Sequence, residues 1–255
     1  MRWQFGNAGG NAGTISLSQG QLLALPFADP FNWQVFWEDF SVGPPVAATA
    51  PYGWQVAGTG SAASQVGLAL LGAGQVGEGG SSLTIATGSA NNNATVIYPA
   101  AGLGLGFAPF VTRLGAKASW ILATRVSRFR QASANCFIGM DATGIPTGLP
   151  ASPSGPHFYS GNGTVYCRWG AGLSIPLSGL KADGGMVFDE LLAHYAGGYV
   201  TVFVNGQNLG STAADPVLLD TNNDCKPLLG LQTLTAASRG IGVDYFLLAN
   251  SREPV

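Results

Sequence analysis

From Val35 onward, short runs of aliphatic, aromatic and β-branched residues alternate with Gly, Asn and Pro, a pattern that predicts many short strands and no long helix. The first runs cover residues 35–40, 68–71, 82–87 and 94–98, each closed by a turn-forming residue. The longest, 118–129, places Trp120, Leu122, Thr124 and Val126 on one face and Ile121, Ala123, Arg125 and Ser127 on the other. Residues 135–140 follow closely enough to be expected as its antiparallel neighbour. Further on, 186–195 reads as a strand, and 199–204 runs into Asn205-Gly206, a pair suited to a two-residue hairpin turn, with 207–211 as the returning strand. The last run, 241–248, sets Val243, Tyr245 and Leu247 against Asp244, Phe246 and Leu248. Both faces are largely apolar, as in a central strand.

Residues 1–34 have no sustained period and read as an extended N-terminal arm or loops, leaving 35–255 as one β-sandwich domain. The arm is nevertheless rich in large apolar side chains: Trp3, Phe5, Leu22, Leu23, Leu25, Phe27, Phe31 and Trp33. These would lie across a neighbouring subunit or complete the domain's own core. The stretch 144–163, rich in Pro, Gly and Ser, reads as a second long loop, and loops on a β scaffold commonly carry binding groups.

Four segments occur in a telling order: Trp37-Glu38-Asp39-Phe40 with Trp54 downstream, Trp120 through Gly139, Phe188-Asp189-Glu190-Leu191 followed by residues 197–206, and Val243-Asp244-Tyr245-Phe246. Over roughly residues 35–250 the chain resembles the concanavalin A-like (lectin/glucanase, laminin-G-type) jelly-roll superfamily, as found in tailed-bacteriophage virion proteins. The resemblance implies an all-β fold, a jelly-roll sandwich of two antiparallel sheets, with 120–139 as a long core hairpin. It implies little about activity, because this fold hosts hydrolases, lectins and structural proteins alike.

Composition narrows the functional classes. Charged residues make up 9% of the 255 positions, against about 25% in an ordinary soluble domain. Such a surface resists self-association poorly, which suits a protein that works inside an assembly. Net charge is -2, and the basic residues Arg113, Lys117, Arg125, Arg128 and Arg130 are dispersed, so a nucleic-acid groove is not expected. No apolar run approaches a membrane span, and none follows Arg2 as a signal peptide would require, so synthesis in a host cytoplasm is the expectation. Three widely spaced cysteines, Cys136, Cys167 and Cys225, read as small buried hydrophobes, with a Cys136–Cys167 bridge as the open alternative.

Candidate chemistry is sparse. Glucanases of the resembled superfamily need two carboxylates on one strand, about 5 Å apart. The four glutamates, Glu38, Glu78, Glu190 and Glu253, never fall within five residues of one another, so that motif is missing. The pairs Glu38-Asp39 and Asp189-Glu190 send their carboxylates to opposite faces of a strand, which suits surface or loop-anchoring roles. Residues 72–77 match Gly-x-Gly-x-x-Gly, but no helix follows to hold a pyrophosphate. His157 and His194 lie outside any metal or triad spacing, His194 as a sheet residue and His157 in the long loop. Asp220, Asn222 and Asp224 form a weak calcium candidate in an Asx-rich turn that lacks the glycine and distal glutamate of an EF-hand. The sequons Asn93-Ala94-Thr95 and Asn162-Gly163-Thr164 read as chance matches.

No cofactor and no catalytic set is expected. The leading expectation is a non-enzymatic virion protein of a tailed bacteriophage, a capsid decoration (cement) or tail-associated subunit. Its partners would be itself, as a homotrimer, and virion proteins such as the major capsid protein. The alternative is a carbohydrate-binding module that stacks Trp54, Tyr159, Tyr166 and Trp169 on sugar rings.

Overall fold

The computed structural model describes residues 18–29, 31–40, 54–59, 66–70, 81–99, 119–142, 148–151, 155–169, 173–181, 187–213 and 225–251. They form one helix, α1 (Gln19–Ala28), and the strands β1 (Trp33–Glu38), β2 (Trp54–Gly58), β3 (Val66–Leu70), β4 (Ser81–Ala86), β5 (Ala94–Pro99), β6 (Trp120–Ser127) and β7 (Ala134–Ala142). The remaining strands are β8 (Pro156–Gly161), β9 (Thr164–Trp169), β10 (Leu173–Pro176), β11 (Phe188–Ala196), β12 (Tyr199–Val204), β13 (Gln207–Ala213), β14 (Cys225–Thr233) and β15 (Gly240–Ser251).

The strands make two antiparallel sheets. The first runs β13-β12-β11-β6-β15-β4-β3, and β1 pairs with the far half of β15, beyond the end of β4. The second runs β10-β9-β8-β7-β14-β5-β2. Alternation along each strand sends one set of side chains between the sheets. Trp120, Leu122, Leu191, Tyr195, Phe246 and Leu248 from the first sheet meet Ile97, Ile138, Phe158, Cys167 and Leu229 from the second in one shared core. Glu38 links the two sheets at their margin. Trp54 Nε1 donates to its Oε2 at 3.2 Å and the Phe40 amide to its Oε1 at 3.1 Å, while burial raises its pKa. This carboxylate therefore anchors the turn after β1.

Both outer faces carry smaller apolar clusters. On the first sheet, Ile121, Ala123, Leu192, Phe203, Leu247 and Ala249 are roofed by Leu22, Leu23 and Leu25 of α1 and by Trp33. On the second, Val96, Phe137 and Leu228 pack with Leu149, which sits so close to Gly230 that a Cβ there would lie 2.5 Å from its Cδ2.

Several expectations are corrected by this architecture. The segment read as an extended arm to residue 34 contains α1, and Trp33 and Gln34 already belong to β1. Ser18 caps the helix: its Oγ accepts from the Gln21 amide at 3.3 Å while Gln21 Oε1 accepts from the Ser18 amide at 2.8 Å. Residues 135–140 do not pair with 118–129, because β7 lies in the second sheet and β6 in the first. Arg128, at φ 55°, begins the turn that carries the chain across the sandwich, so the expected hairpin is a stacked pair. The loop expected over 144–163 contains β8, which makes His157 and Tyr159 sheet residues.

The strict alternation read along 241–248 also fails. A register shift between Val243 and Tyr245 makes a bulge at Asp244, so Val243, Phe246 and Leu248 all point into the shared core while Tyr245 and Leu247 face outward. By contrast, the Asn205-Gly206 turn is as expected: both residues have positive φ, 51° and 81°, and Val204 pairs with Gln207. β15 is central, flanked by β6 on one side and by β4 and β1 on the other.

Candidate functional site

Two surfaces bring polar and aromatic side chains together. The first is an open cleft of about 470 Å³ on the outer face of the first sheet, lined by Arg125, Lys181, Phe188, Glu190, Asn205 and Tyr245. The Asp244 bulge builds one wall, because the extra residue places Tyr245 and Asp244 beside Arg125 of β6. Arg125 Nη1 pairs with Asp244 Oδ2 at 2.9 Å, and its guanidinium lies 5.2 Å from the centroid of the Phe188 ring. Tyr245 donates its hydroxyl to Glu190 Oε1 at 3.0 Å, and burial together with that carboxylate pushes the phenol pKa upward.

The other wall comes from the β12–β13 turn and the segment before β11. Asn205 Nδ2 donates to Asp189 Oδ1 at 2.8 Å and to the Gly179 carbonyl at 3.1 Å, while its Oδ1 accepts from the Glu190 amide at 3.0 Å. Lys181 Nζ donates to the Phe188 carbonyl at 2.6 Å. The start of α1 is fastened beside this wall, since Gln19 Oε1 accepts from the Gly206 amide and Gln19 Nε2 donates to the Glu190 carbonyl at 3.5 Å. Next to the cleft, Trp37 stacks on Tyr245 with centroids 4.9 Å apart, and Phe27 meets the Trp37 edge at 5.6 Å.

The second surface is the outer face of β8 and β9. Phe137, Tyr159, Tyr166 and Pro176 occupy one cross-strand row. Tyr159 and Tyr166 stack at 5.2 Å and 25°, and the Arg168 guanidinium lies 4.5 Å from the Tyr166 centroid. His157 is buried beneath them, stacked on Phe137 at 4.9 Å with its Nδ1–H donating to the Gly155 carbonyl at 2.9 Å. Burial lowers its pKa to about 4, so it is a neutral structural imidazole at neutral pH. His194 is likewise lowered to about 4 by burial.

Of the residues expected to stack on sugars, Tyr159 and Tyr166 are brought together and Trp54 is not. Trp54 is 7% exposed in the shared core and is bonded to Glu38, which leaves no ring face for a ligand. Trp169 ends β9, and its side chain lies outside the described residues. The expected arm residues divide: Leu22 and Trp33 are buried, Leu23 and Leu25 half-buried, and Phe27 and Phe31 are 52% and 85% exposed. Trp3 and Phe5, the calcium candidate Asp220, Asn222 and Asp224, and the glycine-rich 72–77 lie outside the described residues. Cys136 and Cys167 are buried thiols of the core, not a disulfide, and burial raises the Cys167 pKa.

Sequence reasoning missed the cleft. Its residues come from β6, the segment before β11, β11, the β12–β13 turn and β15, and the bulge that assembles them inverts the alternation on which a face assignment rests. A faint signal was present in Asp244 itself, an acidic residue interrupting an apolar central strand.

No protein-family model matches the chain, and no characterised protein matches it in sequence. Solved structures do match in shape. A protein of unknown function from Shewanella oneidensis MR-1 aligns with a TM-score of 0.53 at 13% identity, covering 96% of this chain and 100% of its own. SCLam, a non-specific endo-β-1,3(4)-glucanase of family GH16, aligns with a TM-score of 0.52 at 11% identity, covering 88% of this chain and 92% of its own. The fold is a concanavalin A-like jelly roll. At such identities the likeness extends to the fold alone, and what the jelly roll does here has to be argued from its own side chains.

Proposed function

We propose that this jelly roll is a non-enzymatic structural protein of a tailed-bacteriophage virion, a capsid decoration or tail-associated subunit. It would pack against copies of itself as a homotrimer and against neighbours such as the major capsid protein. The observation that carries this reading is the aromatic patch at the end of α1 and the start of β1: Phe27, Phe31 and Trp37 are 52%, 85% and 43% exposed. Single exposed apolar residues are ordinary, but Phe27 and Trp37 in contact, with ring centroids 5.6 Å apart, on a surface this poor in charge favour a partner that covers them. The low charge of the whole chain supports the same reading. The expected site of packing is thus the exposed side of the segment, while its buried side holds α1 to the sheet.

The test is a Phe27→Ser/Phe31→Ser double variant of the full chain, compared with wild type by light scattering, thermal melting and attachment to particles lacking the protein. Wild type is expected as a trimer that binds particles, and the variant as a monomer with an unchanged melting temperature that does not. A wild-type monomer indifferent to particles would remove the proposal.

A second reading, glycan binding, is favoured by the Tyr159–Tyr166 stack with Arg168 beside it, a flat half-buried aromatic surface edged by a cation. The outward side chains of β8 and β9 there include His157, Tyr159, Tyr166 and Arg168, and none is a carboxylate, so binding without hydrolysis is the chemistry they support. On a glycan array, Tyr166→Ala is expected to abolish any signal that arises from this face.

A further inference from the structure

The sequence contains two Asn-Gly pairs, Asn162-Gly163 and Asn205-Gly206, and both sit at the tips of two-residue hairpins. Their backbones are nearly the same, with φ of 50° and 78° at the first pair and 51° and 81° at the second. Such a pair can undergo a spontaneous backbone reaction. The glycine amide nitrogen gives up its proton and attacks Cγ of the asparagine; Nδ2 leaves as ammonia, and the new N–Cγ bond closes a succinimide ring. Water then opens the ring at either carbonyl, leaving aspartate or isoaspartate. Glycine permits the approach because it has no Cβ to block it. The reaction consumes only water, so its rate is set by whether the asparagine side chain can turn and whether the glycine N–H is free.

We infer that Asn162 is a site of succinimide-mediated deamidation and that Gln19 of α1 protects the identical pair at Asn205. In each hairpin the ladder closes between the flanking residues, Gly161 with Thr164 and Val204 with Gln207, and so leaves the glycine N–H between them unused. At Gly206 that N–H is donated to Gln19 Oε1. The Asn205 side chain is held three times over, Nδ2 donating to Asp189 Oδ1 and to the Gly179 carbonyl and Oδ1 accepting from the Glu190 amide, so its Cγ is fixed. Asn162, by contrast, is exposed, and among the described residues nothing bonds its side chain or the Gly163 N–H.

The two products also differ in effect. A carboxylate at position 205 would face Asp189 Oδ1 where a 2.8 Å hydrogen bond now closes the gap, and the repulsion would unfasten the turn from β11. At position 162 the product adds a negative charge and, as isoaspartate, one more backbone carbon to the turn that sets Tyr159 opposite Tyr166. The tyrosine face is therefore the part of the surface that changes as the protein ages.

The experiment is incubation of the full chain in mildly alkaline buffer, folded and in urea, followed by peptide mapping. Mass spectrometry reads the gain of about 1 Da at each site, and isoaspartyl methyltransferase labels the rearranged product. In the folded protein Asn162 is expected to react about tenfold or more faster than Asn205, because reaction at Asn205 must first break four hydrogen bonds. In urea, where only the local sequence acts, the two rates should become similar. Gln19→Ala should speed the reaction at Asn205 and leave that at Asn162 unchanged. The wild-type comparison stands even where Gln19→Ala melts early. Equal rates at the two sites in the folded protein, an Asn162 that stays intact while the chain in urea reacts, or a folded Gln19→Ala whose Asn205 reacts no faster would each overturn the inference.

Discussion

His157 and His194 show how burial fixes the chemistry of single residues here. Both have pKa values lowered to about 4, because the interior disfavours the imidazolium. In the unfolded chain each takes up its proton near about pH 6.5. The stability gained by keeping them neutral is therefore complete above that pH and is lost as pH falls through about 4. At about pH 5 each histidine should cost about 2 kcal/mol relative to about pH 7.5. Urea melts at those two pH values should show the loss, and NMR should find neither imidazole titrating in the folded protein until near 4. An imidazole that titrates near 6.5 in the folded state would contradict this account. The place of His194 in a strand was legible from the alternation around it. His157 was not, because Pro and Gly nearby suggested a loop, and only pairing of β8 with β7 and β9 makes that stretch a strand.

At the scale of elements, what could be read were strands with strong internal patterns, and what could not were elements defined by their partners. The β12–β13 hairpin was legible because Asn205 and Gly206 specify their own turn geometry. α1 was hidden by Gly20 and Pro26 and by the lack of charged residues at its ends, yet its capping box, Ser18 with Gln21, is written in the sequence. The helix matters because it roofs the outer face of the first sheet. Leu22, 2% exposed, sits in the cluster with Ile121, Leu192 and Leu247. Leu22→Ala removes that contact and leaves a cavity between helix and sheet, an expected loss of about 3 kcal/mol. Denaturant melts measure the total, and hydrogen exchange should show α1 amides opening ahead of those of β6. An unchanged midpoint would mean that α1 adds nothing to the fold.

At the scale of the whole molecule, the apolar pattern identified a sandwich because most of its strands are buried on at least one face. It could not say which strands share a sheet. β6 and β7 are adjacent in sequence and apolar on both faces, so pairing edge to edge and stacking face to face both satisfy their patterns; only the other strands, β11 and β15 beside β6 and β8 and β14 beside β7, settle the matter. The cleft was unreadable for the same reason, since Arg125, Glu190 and Tyr245 become neighbours only when β11, β6 and β15 lie side by side. The same topology predicts what removal of residues 1–30 should do. Among the described residues, the shared core contains none from that segment, so the two sheets should still fold cooperatively. The outer cluster of the first sheet, however, loses Leu22, Leu23 and Leu25 and is left uncovered. The shortened protein is therefore expected to keep its β circular dichroism, to melt at a lower temperature, and to bind a hydrophobic dye that the full chain does not. A shortened protein that melts like the full chain without taking up dye would show that α1 is no part of the jelly roll's own packing.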